Sequence, residues 1–564
     1  MKKLINDPRN IVREMLEGLV DLAPGQALLE GEAVILRSDL PEPAARPVAI
    51  ISGGGSGHEP AHAGYVGAGM LSAAVAGDVF TSPSVDAVLA AIRASAGPAG
   101  CVLVVKNYTG DRINFGLAAE LATLEGIPTE VVVVADDVAL AGVVEKSRRR
   151  GIAGTVLIHK LAGAAAASGL PVAEVARIAR EGATALGSMG VALGACTVPA
   201  AGKPGFELGE SEIELGLGIH GEKGVERTTI KPADDLTAIL VARIVADLGL
   251  KSGDRVALLI NGLGATPPME LAIVGRKALA DLRALGIVVE RAWNGVFLSA
   301  LEMPGVSLSL IGLDDARLAL LDAQASAPAW PGPGRIPAAR QTVSVPQSAL
   351  AEEAVPSAGA LAGKTRSLLE AVAARLAAAE AELTDLDAKT GDGDLGASMA
   401  RGAEAIRALP ETAWVRPGRS MVAMGGALRR AIAGSSGPFY ATALTRAGRL
   451  LADAEAPALS AWADAFDEAV MAVATIGGAK PNDRTMLDAL EPARLAFRDA
   501  IAAGRSGKDA LIAAADAAEK GAAATAQMLP RLGRASYLGQ RALGTPDGGA
   551  VAVSLWLRAL AEAL

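Results

Sequence analysis

A group of acidic residues, Asp387, Asp392 and Asp394, lies within Thr384–Gly396 of the 564-residue chain. Glycines in the same segment leave the backbone free to bring these carboxylates together. Like charges at close range raise one another's pKa, so the group needs a counter-charge. Mg²⁺ is held in proteins by a few carboxylates together with substrate phosphates. The spacing predicts a site for a metal and a phosphate, and it is equally typical of a solvated acidic turn.

The spacing excludes a calcium-binding EF-hand loop. Counted from Asp392, the twelfth position is Ala403, where an EF-hand needs a bidentate glutamate. Counted from Asp387, the third position is Lys389, which offers no oxygen ligand. A metal–phosphate pair is therefore a better hypothesis than calcium.

A second candidate site lies in the N-terminal half, where the glycine run ISGGGSGHEPAH occupies residues 51–62 directly after an apolar segment. At the carboxyl end of a parallel strand, such a run lets the backbone approach a small polar ligand. It does not fit the dinucleotide fingerprint, because His58 takes the place of the third glycine. His58 and His220, which lies in GLGIHGEKG, are candidate catalysts because glycines surround them. His62 and His159 are more typical of structural hydrogen bonding.

Two charged residues, Lys106 and Asp111, follow another apolar run in VVKNYTGDRINFG. At the carboxyl edge of a parallel sheet, this pair could hydrogen-bond a hydroxylated substrate or move its proton. A loop salt bridge or a helix cap is an equally good interpretation.

Three further polar loops lie in the C-terminal third, at Gly434–Gly437, Gly477–Asp488 and Gly533–Ala550. Each alone is typical of a connection between helices. Together with the acidic segment, they favour one shared site for a magnesium–nucleotide complex.

Short β-branched runs separated by alanine-rich windows predict an α/β fold for the N-terminal half, with parallel βαβ units. The first predicted strands are Pro47–Ser52, Cys101–Lys106, Glu130–Ala135 and Gly154–His159. A second α/β segment has predicted strands at Met189–Thr197, Arg255–Asn261, Ile287–Ala292 and Val306–Ile311, with a helix at Pro268–Leu285. The pattern leaves open whether this segment extends the first sheet or forms its own.

The character of the chain changes after residue 325. Residues 326–363 are rich in proline, alanine and glycine without sustained periodicity, which predicts a linker. Beyond it, apolar residues recur at helical spacing, which predicts an all-α domain. We therefore expect an α/β domain at 1–325, a linker at 326–363 and a helical domain at 364–564.

Composition limits the classes of partner. A net charge of −9 argues against nucleic acid, which requires a basic surface. The two cysteines provide no disulfide framework, and we expect a reduced, cytoplasmic setting. No segment is typical of a signal peptide or a membrane span, so we expect no membrane partner.

Six long motifs together resemble the ATP-dependent dihydroxyacetone kinases in their fused, single-chain form. They are ISGGGSGHEPAH, VVKNYTGD, CTVPAAGKP, ELGLGIHGEKG, TDLDAKTGDGDLG and GRASYLG. The resemblance spans nearly the whole chain. It implies an α/β half that binds a short ketose, a helical-barrel half that binds ATP and Mg²⁺, and a homodimer.

The resemblance also implies roles for individual residues. His220 would bind the ketose carbonyl covalently as a hemiaminal, with His58 and Asp111 as an acid/base pair. The other implied substrate-binding residues are Gly55, Ser56, Gly57 and Lys106. The implied Mg²⁺ ligands are Asp387, Asp392 and Asp394. The implied nucleotide contacts are Leu395, Gly396, Ala397, Ser398, Ser435, Ser436, Gly477, Met486, Arg534, Asp547, Gly548 and Gly549.

The chain departs from the family pattern at Ala441, Asn482 and Gly548, where the resemblance leads us to expect Gly, Gly and Pro. These positions bear on ATP affinity and loop stiffness. The motifs do not separate dihydroxyacetone from four-carbon ketoses such as erythrulose. A ketose-sensing regulatory protein without kinase activity is the alternative of another class, and the retained acidic group argues against it.

Overall fold

The apolar runs of the N-terminal half form strands of two separate sheets in the computed structural model, which describes residues 2–344 and 357–564. The described residues fall into two units that divide between positions 344 and 345. The first unit is α/β and the second is helical, so the predicted fold class is confirmed.

The first sheet has six strands in the order β1-β2-β4-β3-β5-β6. Its strands are β1 (Gln26–Leu28), β2 (Val34–Arg37), β3 (Ala49–Ser56), β4 (Ala73–Val79), β5 (Cys101–Lys106) and β6 (Thr129–Val134). The pairs β3–β5 and β5–β6 are parallel, as predicted. The pair β3–β4 is also parallel, although no strand was predicted at β4, so the carboxyl ends of these four strands share one edge. The helices of this part are α1 (Ile11–Leu22), α2 (Val85–Ser95), α3 (Thr109–Leu124), α4 (Thr155–Ala167) and α5 (Val172–Thr184).

The second sheet also has six strands, in the order β11-β10-β12-β7-β8-β9. Its strands are β7 (Leu186–Ala192), β8 (Glu212–Leu215), β9 (Glu226–Thr229), β10 (Arg255–Gly262), β11 (Val288–Gly295) and β12 (Gly305–Gly312). Its helices are α6 (Ala233–Leu248), α7 (Pro268–Ala284) and α8 (Asp315–Asp322). Most of its pairs are antiparallel, and β10–β11 is parallel. The sequence left the relation of the two α/β segments open, and the structure gives each its own sheet.

The prediction of a strand at Gly154–His159 is wrong, because these residues open helix α4. Every residue from Thr155 to Ala166 is buried. The helix shares a core cluster with Val104 of the first sheet and Leu259 of the second. A helix buried on all sides loses the polar face that produces helical periodicity. Its apolar run therefore resembles a buried strand.

The first part of the predicted linker packs on the first unit instead. The backbone nitrogen of Ala329 donates to the carbonyl of Gly64 at 2.8 Å. Trp330 is buried, with its ring centroid 4.9 Å from that of Trp293. Burial of Trp330 therefore fixes this part of the proline-rich segment against the first unit. Positions 345–356 of the predicted linker lie outside the described residues.

The second unit is built from helices that contact one another in a ring. They are α9 (Ala362–Ala378), α10 (Glu380–Thr390), α11 (Leu395–Arg407), α12 (Pro417–Ala431), α13 (Ser436–Leu451), α14 (Leu459–Gly477), α15 (Leu487–Ala502), α16 (Gly507–Ala524) and α17 (Gly548–Ala563). Contacts run from α11 through α12 to α17 in chain order, and α9 contacts both α11 and α17. The ring is thereby closed into a barrel. Within residues 2–344 and 357–564, no helix has the length and apolar character needed to cross a bilayer.

Candidate functional site

In the first unit, the predicted glycine loop forms the carboxyl end of β3. Gly54 is the point where two charged side chains approach the backbone. A Cβ at this position would lie 3.3 Å from Lys106 Nζ and 3.7 Å from Asp111 Oδ2. Gly54 therefore keeps space free beside the ammonium and the carboxylate, both of which are buried.

The next residues of the loop pack against Phe80. A Cβ on Gly55 would lie 2.7 Å from Phe80 Cα, and one on Gly57 would lie 3.0 Å from the Phe80 ring. Gly57 also has a φ of +97°, which favours glycine. Ser56 donates its hydroxyl to the carbonyl of Gly77 at 2.7 Å. The Ser56 hydroxyl thus joins β3 to β4.

His58, at the end of this loop, is fully buried, and its Nδ1 lies 2.9 Å from the carbonyl oxygen of Ser299. Because a carbonyl only accepts, the neutral ring carries its hydrogen on Nδ1 and a lone pair on Nε2. Burial lowers the pKa of His58 well below its usual value, and the nearby Lys106 and His220 add to this effect. His58 is therefore a neutral base.

Lys106 is the last residue of β5, and Asp111 lies in the first turn of α3. Burial lowers the pKa of Lys106 to about 8, although the Asp111 carboxylate opposes this shift. Tyr108 lies between them in sequence, and burial of its hydroxyl raises its pKa. Four buried atoms in this cluster have no hydrogen-bond partner among the described residues: His58 Nε2, Lys106 Nζ, Tyr108 Oη and Asp111 Oδ1. Such atoms are costly unless a ligand satisfies them.

The second sheet supplies His220, on the loop between β8 and β9. Its ring centroid lies 4.6 Å from that of Tyr108, 4.9 Å from that of His58 and 5.1 Å from that of Phe80. The imidazole therefore lies within the cluster of buried polar atoms, and its side chain is 19% exposed. The structure brings the predicted residues His58, Lys106, Asp111 and His220 together.

Two residues that contact the imidazoles of this site, Glu222 and Phe80, were not predicted. Glu222 accepts from His220 Nδ1 at 2.9 Å, and only its position two residues after the histidine could have indicated it. Phe80 has a φ of +59° and stacks on His58, with the ring centroids 5.0 Å apart. His62 and His159 lie elsewhere, with their ring nitrogens 3.0 Å apart in the buried core.

In the second unit, the three predicted metal ligands converge. Asp387 lies in the last turn of α10, whereas Asp392 and Asp394 lie in the turn that precedes α11. One carboxylate oxygen from each lies within 4.8 Å of the others. Asp387 Oδ2 also accepts from the backbone nitrogen of Asp394 at 2.9 Å. The guanidinium of Arg534, a predicted nucleotide contact, forms an ion pair with Asp392.

The predicted nucleotide contacts cluster at the starts of helices. Leu395, Gly396, Ala397 and Ser398 form the first turn of α11, Ser435 and Ser436 begin α13, Met486 precedes α15, and Asp547, Gly548 and Gly549 begin α17. Gly477 is the last residue of α14. The starts of helices present free N–H groups and a positive dipole end, which suit phosphate oxygens.

Contacts between these loops bring most of them to one place. A Cβ on Gly548 would lie 2.8 Å from Leu395 Cδ2, and one on Gly549 would lie 3.5 Å from Met486 Cβ. A Cβ on Gly477 would lie 3.3 Å from the ring of Phe439, which is one turn into α13. The starts of α11, α15 and α17 therefore adjoin one another.

Asp547 caps α17, since its Oδ1 accepts from the backbone nitrogen of Ala550 at 2.9 Å. Burial raises its pKa to about 6, an effect that the Ala550 hydrogen bond and Arg484 oppose. Arg484 is itself buried, and its Nη2 donates to the carbonyl of Thr545 at 2.8 Å. Arg484 thereby connects the loop before α15 to the loop before α17.

The structure accounts for one of the three departures from the family pattern. Asn482 has a φ of +76°, a left-handed conformation that favours glycine. Asparagine is one of the few other residues that adopt this conformation readily, so the loop keeps its path. Gly548 occupies the first position of α17, where proline is also favoured. Nothing in the structure explains Ala441.

The chain matches two domain families, the Dak1 domain over residues 17–329 and the DAK2 domain over residues 389–562. It is 42% identical over 580 residues to the triokinase/FMN cyclase of Homo sapiens, covering 100% of this chain and 99% of that protein. It is 37% identical over 575 residues to the D-erythrulose kinase of Mycolicibacterium smegmatis, covering 100% of this chain and 98% of that protein.

A crystal structure of the dihydroxyacetone kinase from C. freundii in complex with AMP-PNP and Mg²⁺ has a similar fold. Its TM-score to this chain is 0.63 and its sequence identity is 36%, with 100% of both chains covered. Both the sequence and the fold therefore match over the full length of these relatives. The chain belongs to the dihydroxyacetone kinase family and carries its Dak1 and DAK2 domains in one polypeptide.

Proposed function

We propose that the chain is an ATP-dependent kinase that phosphorylates the terminal hydroxyl of dihydroxyacetone or a close short-chain ketose. The observation that carries this proposal is the group formed by Asp387, Asp392 and Asp394, whose carboxylate oxygens lie within 4.8 Å of one another. A protein that only senses a ketose has no need of such a group. The kinase names of the relatives support the same conclusion.

The three carboxylates fit Mg²⁺, a hard cation that prefers oxygen ligands. Arg534 forms an ion pair with Asp392, so this acidic group already attracts positive charge in the described structure. When bound, Mg²⁺ neutralises negative charge on the transferring phosphate. The N–H groups at the start of α11 would then bind phosphate oxygens.

His220 would capture the ketose covalently. Its Nε2 lone pair forms a bond to the carbonyl carbon, and the C=O π pair moves to the oxygen. That oxygen takes a proton from the Lys106 ammonium, which water later restores. The product is a hemiaminal on His220. Glycerol has no carbonyl, so capture excludes it by chemistry rather than by size.

Transfer would follow from the captured ketose. The terminal hydroxyl oxygen attacks the γ-phosphorus of ATP, its proton passes to His58 Nε2 or Asp111 Oδ1, and ADP leaves. Holding the hydroxyl in line with the phosphate lowers the barrier by roughly 7–11 kcal/mol at best. The two unpartnered acceptors lie within the cluster around His220 in the described structure, which supports this assignment.

Two substitutions test whether the first unit captures the ketose and the second unit holds Mg-ATP. Asp392→Asn is expected to lower turnover by at least about 100-fold, because the Mg²⁺ that would neutralise charge on the transferring phosphate loses one of its ligands. It should leave ketose binding intact, whereas His220→Ala should abolish capture. Asp385→Asn is the matched control, since Asp385 pairs with Lys389 at 2.6 Å outside the acidic group. Full activity of Asp392→Asn with Mg-ATP would contradict the proposal.

A substrate panel separates the remaining alternatives. Dihydroxyacetone, D-erythrulose, L-erythrulose and glyceraldehyde are compared at fixed Mg-ATP by ketose-dependent ADP release. A preference for erythrulose would identify a tetrulose kinase, which the M. smegmatis relative supports. Ketose binding without ADP release would instead identify a sensor.

We also propose a reduced cytoplasmic setting and a homodimer. The buried thiols of Cys101 and Cys196 support the first, and the family resemblance supports the second. Sedimentation of the full chain measures the oligomeric state, and a monomer at micromolar concentration would contradict it.

A further inference from the structure

The Glu222 carboxylate contacts both the side chain and the backbone of His220. Its Oε1 lies 2.9 Å from His220 Nδ1, and its Oε2 accepts from the backbone nitrogen of His220 at 2.9 Å. Burial by itself raises the pKa of Glu222, but the hydrogen bonds from His220 and the backbone lower it to about 2. The carboxylate is therefore ionised and can only accept. In the neutral ring Nδ1 must therefore carry the hydrogen, and the lone pair is on Nε2.

The carboxylate of Glu222 is itself held in place by the loop. Gly218 provides the space, because a side chain there would collide with Glu222 Oε2 and would lie 2.7 Å from Arg150 Nη1. Arg150 donates from Nη2 to the carbonyl of Gly216 and from Nε to Asp137, both at 2.7 Å. An anchored guanidinium and the Glu222 carboxylate thus both lie against Gly218.

The two imidazoles of the site have different acceptors at Nδ1. His58 donates to the neutral carbonyl of Ser299, whereas His220 donates to the charged carboxylate of Glu222. Hydrogen bonds to an ionised acceptor are roughly twice as strong as neutral ones. Positive charge develops on an imidazole whose Nε2 forms a bond to carbon. Of these two histidines, His220 is the better placed to bear that charge.

We propose that Glu222 is a positioning residue that fixes the tautomer of His220 and balances the charge of its adduct. This inference rests on the proposed capture of the ketose by His220. When Nε2 bonds to the carbonyl carbon, the Nδ1 hydrogen stays on the ring, and the imidazolium pairs with the Glu222 carboxylate. Glu222 itself forms no bond to the substrate.

The first test reads the tautomer directly, in the full chain without ketose. The protein is labelled with ¹⁵N in its imidazole rings, and His58, His62, His159 and His220 are the only four histidines to assign. We expect His220 to be protonated at Nδ1 alone in the wild type and in Glu222→Gln. In Glu222→Ala we expect both tautomers. Protonation at Nε2 in the wild type would overturn the proposal.

The second test measures capture with dihydroxyacetone labelled with ¹³C at its carbonyl. The wild type should convert the ketone signal into that of a tetrahedral carbon. Glu222→Ala should raise the dissociation constant about 10–100-fold, the range for groups that orient a metal-bound imidazole. Glu222→Gln, which retains an acceptor, should recover part of this loss. Because capture precedes transfer, KM for ketose should change more than kcat.

Glu214→Ala is the matched control for Glu222→Ala. Glu214 is a buried carboxylate in β8, the strand before this loop, and it accepts from the backbone nitrogen of Gly224 at 2.8 Å. No contact between Glu214 and an imidazole is found among the described residues. Glu214→Ala should leave the His220 tautomer and the adduct unchanged, and an equal effect at Glu214 and Glu222 would overturn the proposal. An adduct of wild-type strength in Glu222→Ala would do the same. An adduct that persists in His220→Ala would refute the proposed capture instead, whereas the tautomer test would still decide the role of Glu222.

Discussion

Replacing Lys106 with methionine is expected to remove a rise in the stability of the first unit above pH 8. In the folded protein, burial lowers the pKa of Lys106 to about 8, against 10.5 for a solvated lysine. Between these values, the unfolded chain keeps a proton that the folded chain has released. Stability rises with pH wherever the unfolded state binds more protons. The full gain is about 3 kcal/mol, and it is complete near the unfolded pKa.

The sign of this effect identifies its origin. Below pH 8, Lys106 is an ammonium in both the folded and the unfolded state. Its burial then lowers the stability of the folded state by the full amount of about 3 kcal/mol. The Asp111 carboxylate opposes that cost only in part. Lys160, whose burial also lowers its pKa to about 8, contributes the same trend. Because Lys160 is unchanged in Lys106→Met, its contribution cancels when the two proteins are compared.

The assay uses the thiol of Cys101. Cys101 is buried in β5, so a pulse of maleimide after equilibration in urea labels only molecules in which this sheet has opened. Cys196→Ala is introduced into both proteins to leave one thiol. The unfolding free energy of the wild type minus that of Lys106→Met should increase by about 1.4 kcal/mol per pH unit from pH 8 to 10. A difference that stays constant over this range would refute the reasoning.

Two further predictions concern the second unit. Gly396→Ala should lower its calorimetric melting temperature, because a Cβ there would collide with the carbonyl oxygen of Glu380. Gly426→Ala, whose Cβ would meet no atom of the described chain within 4 Å, should raise stability by about 0.5–1 kcal/mol, and equal effects would contradict this. Arg484→Met should raise KM for ATP and leave ketose affinity unchanged, because the link to the Thr545 carbonyl is lost. An unchanged KM for ATP in initial-rate assays would contradict it.

Much of the fold could be predicted from local pattern. The runs that became β3, β5, β10 and β12 are apolar and bounded by polar or glycine residues, so their strands were predicted within a few residues. Helix α4 was missed because burial on every side removes the period that distinguishes a helix. The packing of Trp330 was missed because its partner, Trp293, lies in a distant strand.

The two candidate sites differ in how far the chain must fold to build them. Asp387, Asp392 and Asp394 lie within eight residues, and a local turn is sufficient to bring their carboxylates together. The proposed ketose site instead combines His58, which follows a strand of the first sheet, with Ser299 and His220, which belong to loops of the second sheet. Its motif residues could be named from the sequence by resemblance, but their hydrogen-bond partners could not.

The amino-acid sequence by itself determined which side chains are available for chemistry and which segments can form strands or helices, since both depend on residue type and short-range spacing. Only the tertiary structure decided the protonation pattern of the site. Burial sets the pKa of Lys106, and the acceptors at Ser299 and Glu222 set the tautomers of the two imidazoles. Desolvation and hydrogen bonding arise from contacts between distant segments, and those contacts exist only in the folded chain.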